Sequence, residues 1–173
     1  MSAQIRRAAS GDGPIAAFLG RITFAETFGY LFRNYFENDL RAYLDGTFDV
    51  AKMERSLAKP ENAYWLALWA GLPVGYAKLK HRFPLSATAQ STAQLQRIYV
   101  LGEFIGRGIG RYVIESVFTK AAAPATAVWL DVLLDNDRAV GFYRRRGFVV
   151  TGEHSFEIGA QQFLFHIMSR AVP

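Results

Sequence analysis

Three glycines at alternate positions, Gly106, Gly108 and Gly110, with Arg107, Ile109 and Arg111 beside them, are the stretch best suited to chemistry. Upstream, Gln94–Leu101 is rich in β-branched and aromatic residues, a strand signature. Downstream, Ile109, Val113, Val117 and Phe118 recur at helical spacing. A strand, a glycine turn and a helix place backbone N–H groups where an anion can meet them, and glycine lets the anion come close. The spacing therefore reads as a pyrophosphate cradle. A nucleotide triphosphatase loop requires Lys and Ser/Thr after its last glycine, whereas Arg111 and Tyr112 follow Gly110. A dinucleotide turn requires Gly-x-Gly-x-x-Gly, one residue more than is present. Asp131, about twenty residues on, imitates the ribose-binding acid of such folds. Only one further helix follows it, too little for a six-stranded doubly wound domain.

A second block, Asn136-Asp137-Arg138-Ala139-Val140-Gly141-Phe142-Tyr143-Arg144-Arg145-Arg146-Gly147-Phe148, follows about thirty residues later. The two blocks together resemble the GNAT superfamily of acyl-CoA N-acetyltransferases. Gly108-x-Gly110 matches the end of that family's Gln/Arg-x-x-Gly-x-Gly/Ala loop, and Ile105 stands where the family has Gln or Arg. The second block matches Asn-x-x-Ala-x-x-Phe-Tyr-x-x-x-Gly-Phe at every fixed position. Thr23–Gly29 and its surroundings look like the bacterial spermidine/spermine-type branch. The resemblance implies a single domain over residues 1–173 that moves an acetyl group from acetyl-CoA to a primary amine of a polyamine-like small molecule or a peptide. A non-catalytic module that senses acyl-CoA is the alternative.

By the same resemblance, Gly106, Arg107, Gly108, Ile109, Gly110 and Arg111 bind the pyrophosphate of coenzyme A. The backbone of Ile98, Tyr99 and Val100 pairs with the pantetheine arm, which Asn136 also contacts. Tyr143 matches the tyrosine placed near the sulfur. A phenol with a pKa near 10 can donate to a departing thiolate at neutral pH. The bland readings are an N-cap for Asn136 and core packing for Tyr143. Glu26, Glu37 and Glu103 are the candidate bases by position, Glu26 first, though glutamate is mostly a solvated surface residue. Asp131 reads as a strand-end carboxylate facing solvent or a cation. His81, His154 and His166 lack metal-ligand spacing, so no metal is expected.

Composition bounds the remaining classes. The 173 residues suit one domain with a good core; 51% are apolar and 20% charged, as in globular proteins. Cysteine is absent, which removes disulfides, thiolate zinc sites and a cysteine nucleophile and is compatible with a cytoplasmic location. No apolar run approaches a membrane span, no secretory signal is evident, and no membrane partner is expected. The net charge of +5 suits an anionic cosubstrate. Basic residues are not interleaved with aromatics, so nucleic acid is an unlikely partner, and Arg144-Arg145-Arg146 reads as a solvated helix face. A homodimer is compatible with all of this.

The elements that must position these residues follow in order. Ala3–Ala8 reads as an edge strand. Pro14 opens a helix whose apolar face carries Ile15, Phe18, Leu19, Ile22 and Phe24, ending near Gly29. Short helices are expected over Asn38–Leu44 and Val50–Leu57, and the aromatic segment Tyr30–Gly46 as a helical cover or a wall of the acceptor pocket. Tyr64–Ala70 and Val74–Arg82 form a hairpin around Gly71-Leu72-Pro73. Ser86–Thr92 is a polar loop. Ala125–Leu134 lies parallel to Gln94–Leu101 across the Gly108–Ala122 helix. A helix stopped by Gly147 and an antiparallel pair, Phe148–Phe156 and Gln161–Ser169, complete an α/β (α+β) fold. The expected architecture is a GNAT-like mixed, mostly antiparallel sheet with helices on both faces and one parallel β-α-β crossover at the glycine loop.

Overall fold

A computed structural model describes residues 3–32, 37–85, 91–120, 124–159 and 161–172. Its strands are β1 (Ala3–Arg7), β2 (Asn62–Trp69), β3 (Leu72–Lys80), β4 (Thr92–Val100), β5 (Ala127–Leu133), β6 (Val149–Ile158) and β7 (Gln161–Ala171). They form one sheet in the order β1-β2-β3-β4-β5-β7-β6, and every pair is antiparallel except β4 with β5. The helices are α1 (Gly13–Phe28), α2 (Glu37–Thr47), α3 (Val50–Leu57), α4 (Ile109–Lys120) and α5 (Asp137–Arg144). Residues of α1, α2 and α3 cover one face of the sheet, and α4 and α5 the other. The expected mixed fold with helices on both faces is the observed one.

Alternation explains which face each strand gives to which layer. On β5, Val128, Leu130 and Val132 join α4 and α5 in one core, while Leu133 turns to the layer of α1. The β3–β4 register slips between Lys78 and Leu79, which leaves Gln96 as an extra residue on β4. The bulge resets the alternation. Leu95, Ile98 and Val100 pack toward α4, whereas Gln94, Arg97 and Tyr99 lie opposite Lys80, Lys78 and Tyr76 on the other face.

The parallel pair is brief. β4 and β5 share only Thr92–Gln94 with Ala127–Trp129 and then part, although each strand continues. The opening between them is the feature on which the site depends.

Several expectations change. The buried face of α1 is made of Ala16, Ala17, Leu19, Gly20, Thr23 and Phe24, and Phe18 is 62% exposed. Small residues let α1 lie close to its neighbours: a Cβ on Gly20 would overlap the Phe48 ring. Gly13–Phe32 is long and apolar enough, by length and composition, to cross a membrane, contrary to the reading of the bare sequence. Here it is the core helix over the sheet. The β2–β3 turn sits at Ala70-Gly71, both at positive φ, and Leu72 and Pro73 already belong to β3. Pro73 is tolerated there beside the Ala67/Leu68 bulge, where the ladder is interrupted. α2 is longer than the expected Asn38–Leu44. Tyr35 and Phe36 of the expected pocket wall, and the loop residues 86–90, lie outside the described residues.

Candidate active site

Where β4 and β5 part, a cleft of about 780 Å3 runs from the glycine loop to α1. Its size suits a small-molecule site. One end is lined by Gly106, Gly108, Gly110, Arg111, Asn136, Arg138, Arg145 and Arg146, the other by residues of α1 and the β6–β7 hairpin. Ile98, Tyr99, Val100, Asp131 and Tyr143 lie along its length. Of the residues expected to bind coenzyme A or to act as acid or base, Arg107, Ile109, Glu26 and Glu103 are not in its lining.

At the loop end the backbone is arranged for an anion. Gly106 and Gly108 adopt φ of 86° and 79°, a region that favours glycine. The first helical bond of α4 runs from Tyr112 N–H to Gly108 C=O at 3.1 Å. The N–H groups of Ile109, Gly110 and Arg111 therefore have no acceptor within the helix. Ile109 itself is buried in the core and anchors the turn. Gly110 lies under Phe142: a Cβ there would stand 3.2 Å from the ring.

Arg146 sits over the Phe142 ring, 3.7 Å from its centroid, and donates to Phe142 C=O at 2.8 Å. Its Nε is buried without a partner. Desolvation, then the charges of Arg145 and Arg111, lower its pKa. The arginine run is a solvated face in part: Arg144 and Arg145 are exposed, while Arg145 and Arg146 also line the cleft. Gly147, at φ 80°, ends α5 as a C′ residue, with Gly147 N–H to Arg144 C=O at 3.1 Å and Phe148 N–H to Tyr143 C=O at 3.2 Å. This cap fixes the direction in which Arg145 and Arg146 leave the helix.

Asn136 caps α5, its Oδ1 accepting from Ala139 N–H at 3.1 Å, and it also lines the cleft. Tyr143 is buried between Phe142 and Phe148, with ring centroids 5.2 and 5.6 Å away. Burial, and secondarily Tyr99, push its phenol pKa well up, so it carries its proton at neutral pH. Tyr99 is likewise pushed up by burial, to about 12.

The acids rearrange the expectation. Glu26 Oε2 accepts from Gly102 N–H at 2.9 Å, which ties α1 to the segment after β4. Glu103 lies in the short 3-10 turn Gly102–Phe104, and the side chain of Glu37 is outside the description. Among the described residues lining the cleft, Asp131 is the one carboxylate. Its Oδ1 is 2.8 Å from His154 Nε2, and its Oδ2 accepts from Gln94 Nε2 at 3.0 Å. Gln96 Nε2 donates in turn to Gln94 Oε1 at 2.8 Å, so a polar chain bridges the opening from β4 to β6. Burial raises the pKa of Asp131, partly offset by His154. Sequence spacing hides this pair, because His154 reaches Asp131 from β6, across the intervening strand β7. His166 instead lies 3.1 Å from Glu153, and no group of three or more metal-ligating side chains occurs among the described residues.

The arrangement has known counterparts. The profile of the Acetyltransferase (GNAT) family matches residues 27–148. An uncharacterized N-acetyltransferase of Lactobacillus delbrueckii subsp. lactis is 27% identical over 163 residues, 93% of this chain and 92% of its own. The N-alpha-acetyltransferase RimI of Mycobacterium tuberculosis is 34% identical over 108 residues, 62% of this chain and 65% of its own. The PaiA N-acetyltransferase of Thermoplasma acidophilum, solved with coenzyme A, superposes with a TM-score of 0.76 at 19% identity, over 99% of both chains.

Proposed function

Because this chain belongs to the GNAT family of acetyltransferases, taking acetyl groups from acetyl-CoA, we propose that it acetylates a primary amine in the cleft between β4 and β5, with Asp131 as the base and Tyr143 as the acid. The observation that carries this reading is the Asp131 carboxylate, the one among the described residues lining the cleft, and the buried Tyr143 phenol placed along one opening whose far end is a glycine and arginine cradle.

Acetyl-CoA supplies the thioester. The loop residues Gly106–Arg111 fit its pyrophosphate, because free helix-terminal N–H groups, open glycine positions at Gly106 and Gly108, and a cluster of arginines in which Arg111 is paired with Glu115 converge there. The polar edges of β4 beyond Gln94 lack a strand partner on the β5 side, which suits the amide-rich arm of coenzyme A. An incoming ammonium gives a proton to the Asp131 carboxylate, and His154 holds that carboxylate in place. The amine nitrogen forms its bond to the acetyl carbon as the carbon–sulfur bond breaks. Tyr143 O–H donates to the leaving sulfur, and the second proton shed by the nitrogen as it becomes an amide replaces the one Tyr143 gave. Proximity along the cleft supplies much of the remaining acceleration.

Glu26 is replaced as base in this reading, since its carboxylate is engaged with Gly102 N–H. The polyamine-like acceptor implied by the sequence resemblance draws little support from a cleft with one carboxylate. The test is a melting curve and a thiol assay. Acetyl-CoA at saturation should raise the melting temperature by mass action, NAD and ATP should not, and an amine should speed release of free thiol. A larger shift with ATP or NAD, or thiol release indifferent to every amine, would overturn the assignment; the latter outcome leaves a sensing module.

A further inference from the structure

Arg97 is a cation without an acid. The bulge at Gln96 turns it onto the face of Tyr99, where it lines the cleft and is only partly exposed. Its guanidinium lies 4.9 Å over the Phe48 ring, and its Nη1 is 3.7 Å from Met53 Sδ. Tyr76 and Tyr99 stand next to it. A thioether is a weak acceptor for a group with five N–H donors. None of the ion pairs formed among the described residues includes it.

Directly opposite on β3 is Lys78, a second partly buried cation. Like charges facing across a strand pair destabilise it. Desolvation, followed by the charge of Arg97, lowers the Lys78 pKa to about 8. The Tyr76 hydroxyl beside them is buried, with the Arg97 guanidinium as its polar neighbour. Glu61 acts on Lys78, but among the described residues no acid is paired with Arg97, and a partly buried cation without an anion is a costly arrangement in a protein interior. A ligand carboxylate in the cleft would relieve that cost at Arg97.

The rest of the acceptor end is mostly apolar, with the hydroxyls of Thr23, Thr27 and Tyr43 among its lining. Phe28, Leu31, Phe32, Phe163 and Phe165 line it. A polyamine would bring several positive charges to one carboxylate and one arginine, among the described residues lining the cleft. Asp131 on β5 and Arg97 on β4 stand on the two banks of the opening, opposite in sign.

We infer that the acceptor is an amino acid with a large apolar side chain, its amine received by Asp131, its carboxylate by Arg97 and its side chain by the phenylalanine wall. The inference rests on the acetyl-transfer reading and narrows it.

Three probes separate the charges: phenylalanine, phenylalaninol, which lacks the anion, and spermidine. Thiol release with acetyl-CoA should give phenylalanine a kcat/KM about 10- to 100-fold above phenylalaninol, the range of a charge-assisted hydrogen bond, with spermidine below both. In Arg97→Met the ratio of phenylalanine to phenylalaninol should fall toward one, through the KM for phenylalanine. Arg97→Lys, which keeps the charge and loses the fork, should retain part of the preference; it serves also if the methionine variant does not fold. Spermidine or phenylalaninol matching phenylalanine in the wild type overturns the inference, as does a ratio that survives in the folded methionine variant. No thiol from phenylalanine, in a protein whose melting temperature acetyl-CoA still raises, also overturns it and leaves acetyl-CoA binding standing. Absence of any acetyl-CoA shift removes the broader reading instead.

Discussion

At Asp131 the fold keeps a carboxylate where burial disfavours its charge, and that conflict can be measured twice. Its pKa is raised, by burial first, so the folded chain binds this proton more tightly than the unfolded chain does. Stability therefore falls as pH rises from the ordinary carboxylate range through the raised value. Asp131→Asn removes the ionisation and should melt above wild type at neutral pH, with the gap closing as pH falls below that range. The same variant should lose about 10²–10⁴-fold in kcat, the usual scale of general-base assistance, while wild-type turnover should rise with pH as Asp131 deprotonates. Tyr143→Phe keeps the ring between Phe142 and Phe148 and should lose about 10²-fold or less, because a thiolate leaves readily; its acetyl-CoA affinity should hardly move. Steady-state kinetics beside melting curves decide both. An Asp131→Asn enzyme that is slow and less stable would mark a structural acid rather than a base.

At the scale of elements, the glycine loop and α5 were legible because their signals are local. Positive φ at Gly106 and Gly108 calls for glycine, and the C′ bond at Gly147 needs only its neighbours. The Gln96 bulge was not legible. Alternation read straight along β4 puts Arg97 with Leu95 and Tyr99, and Gln94 on the opposite face, whereas the slip in register against β3 brings Gln94, Arg97 and Tyr99 together. The apolar face of α1 was misread for a related reason: close approach selects Ala16, Ala17 and Gly20, which a hydrophobic pattern passes over.

The loop itself yields a graded prediction. Gly108→Ala has room for its methyl but forces an L residue into φ 79°, which costs about 1–2 kcal/mol of stability. Gly110→Val should strike the Phe142 ring, disturb Arg146 stacked on it and weaken coenzyme A more than it lowers the melting temperature. Gly29→Ala, at φ −57° with nothing near its Cβ, should change neither. Calorimetry with coenzyme A and thermal melts sort the three, and unchanged affinity in a folded Gly110→Val protein would move the pyrophosphate elsewhere.

For the whole molecule, the sheet is two plates, β1–β4 and β5–β7, whose strand ladders join only where Thr92–Gln94 meets Ala127–Trp129; beside that ladder Thr126 N–H donates to Ser91 C=O at 2.7 Å, and Gln94 Nε2 reaches Asp131 across the opening. Amides of β4 beyond Gln94 that point away from β3 should exchange with solvent quickly, and saturating acetyl-CoA should slow them far more than those of β2, which is paired on both sides. Hydrogen exchange with and without the ligand measures this; equal protection along both strands would show that the ligand does not fill the opening. In the proposed reading, the acetyl donor completes this seam as well as reacting in it. An empty copy is the copy that opens, and opening is what proteases require. The lifetime of this chain in a cell would then follow the supply of acetyl-CoA, so that scarcity of the donor would thin the enzyme itself before it slowed the reaction.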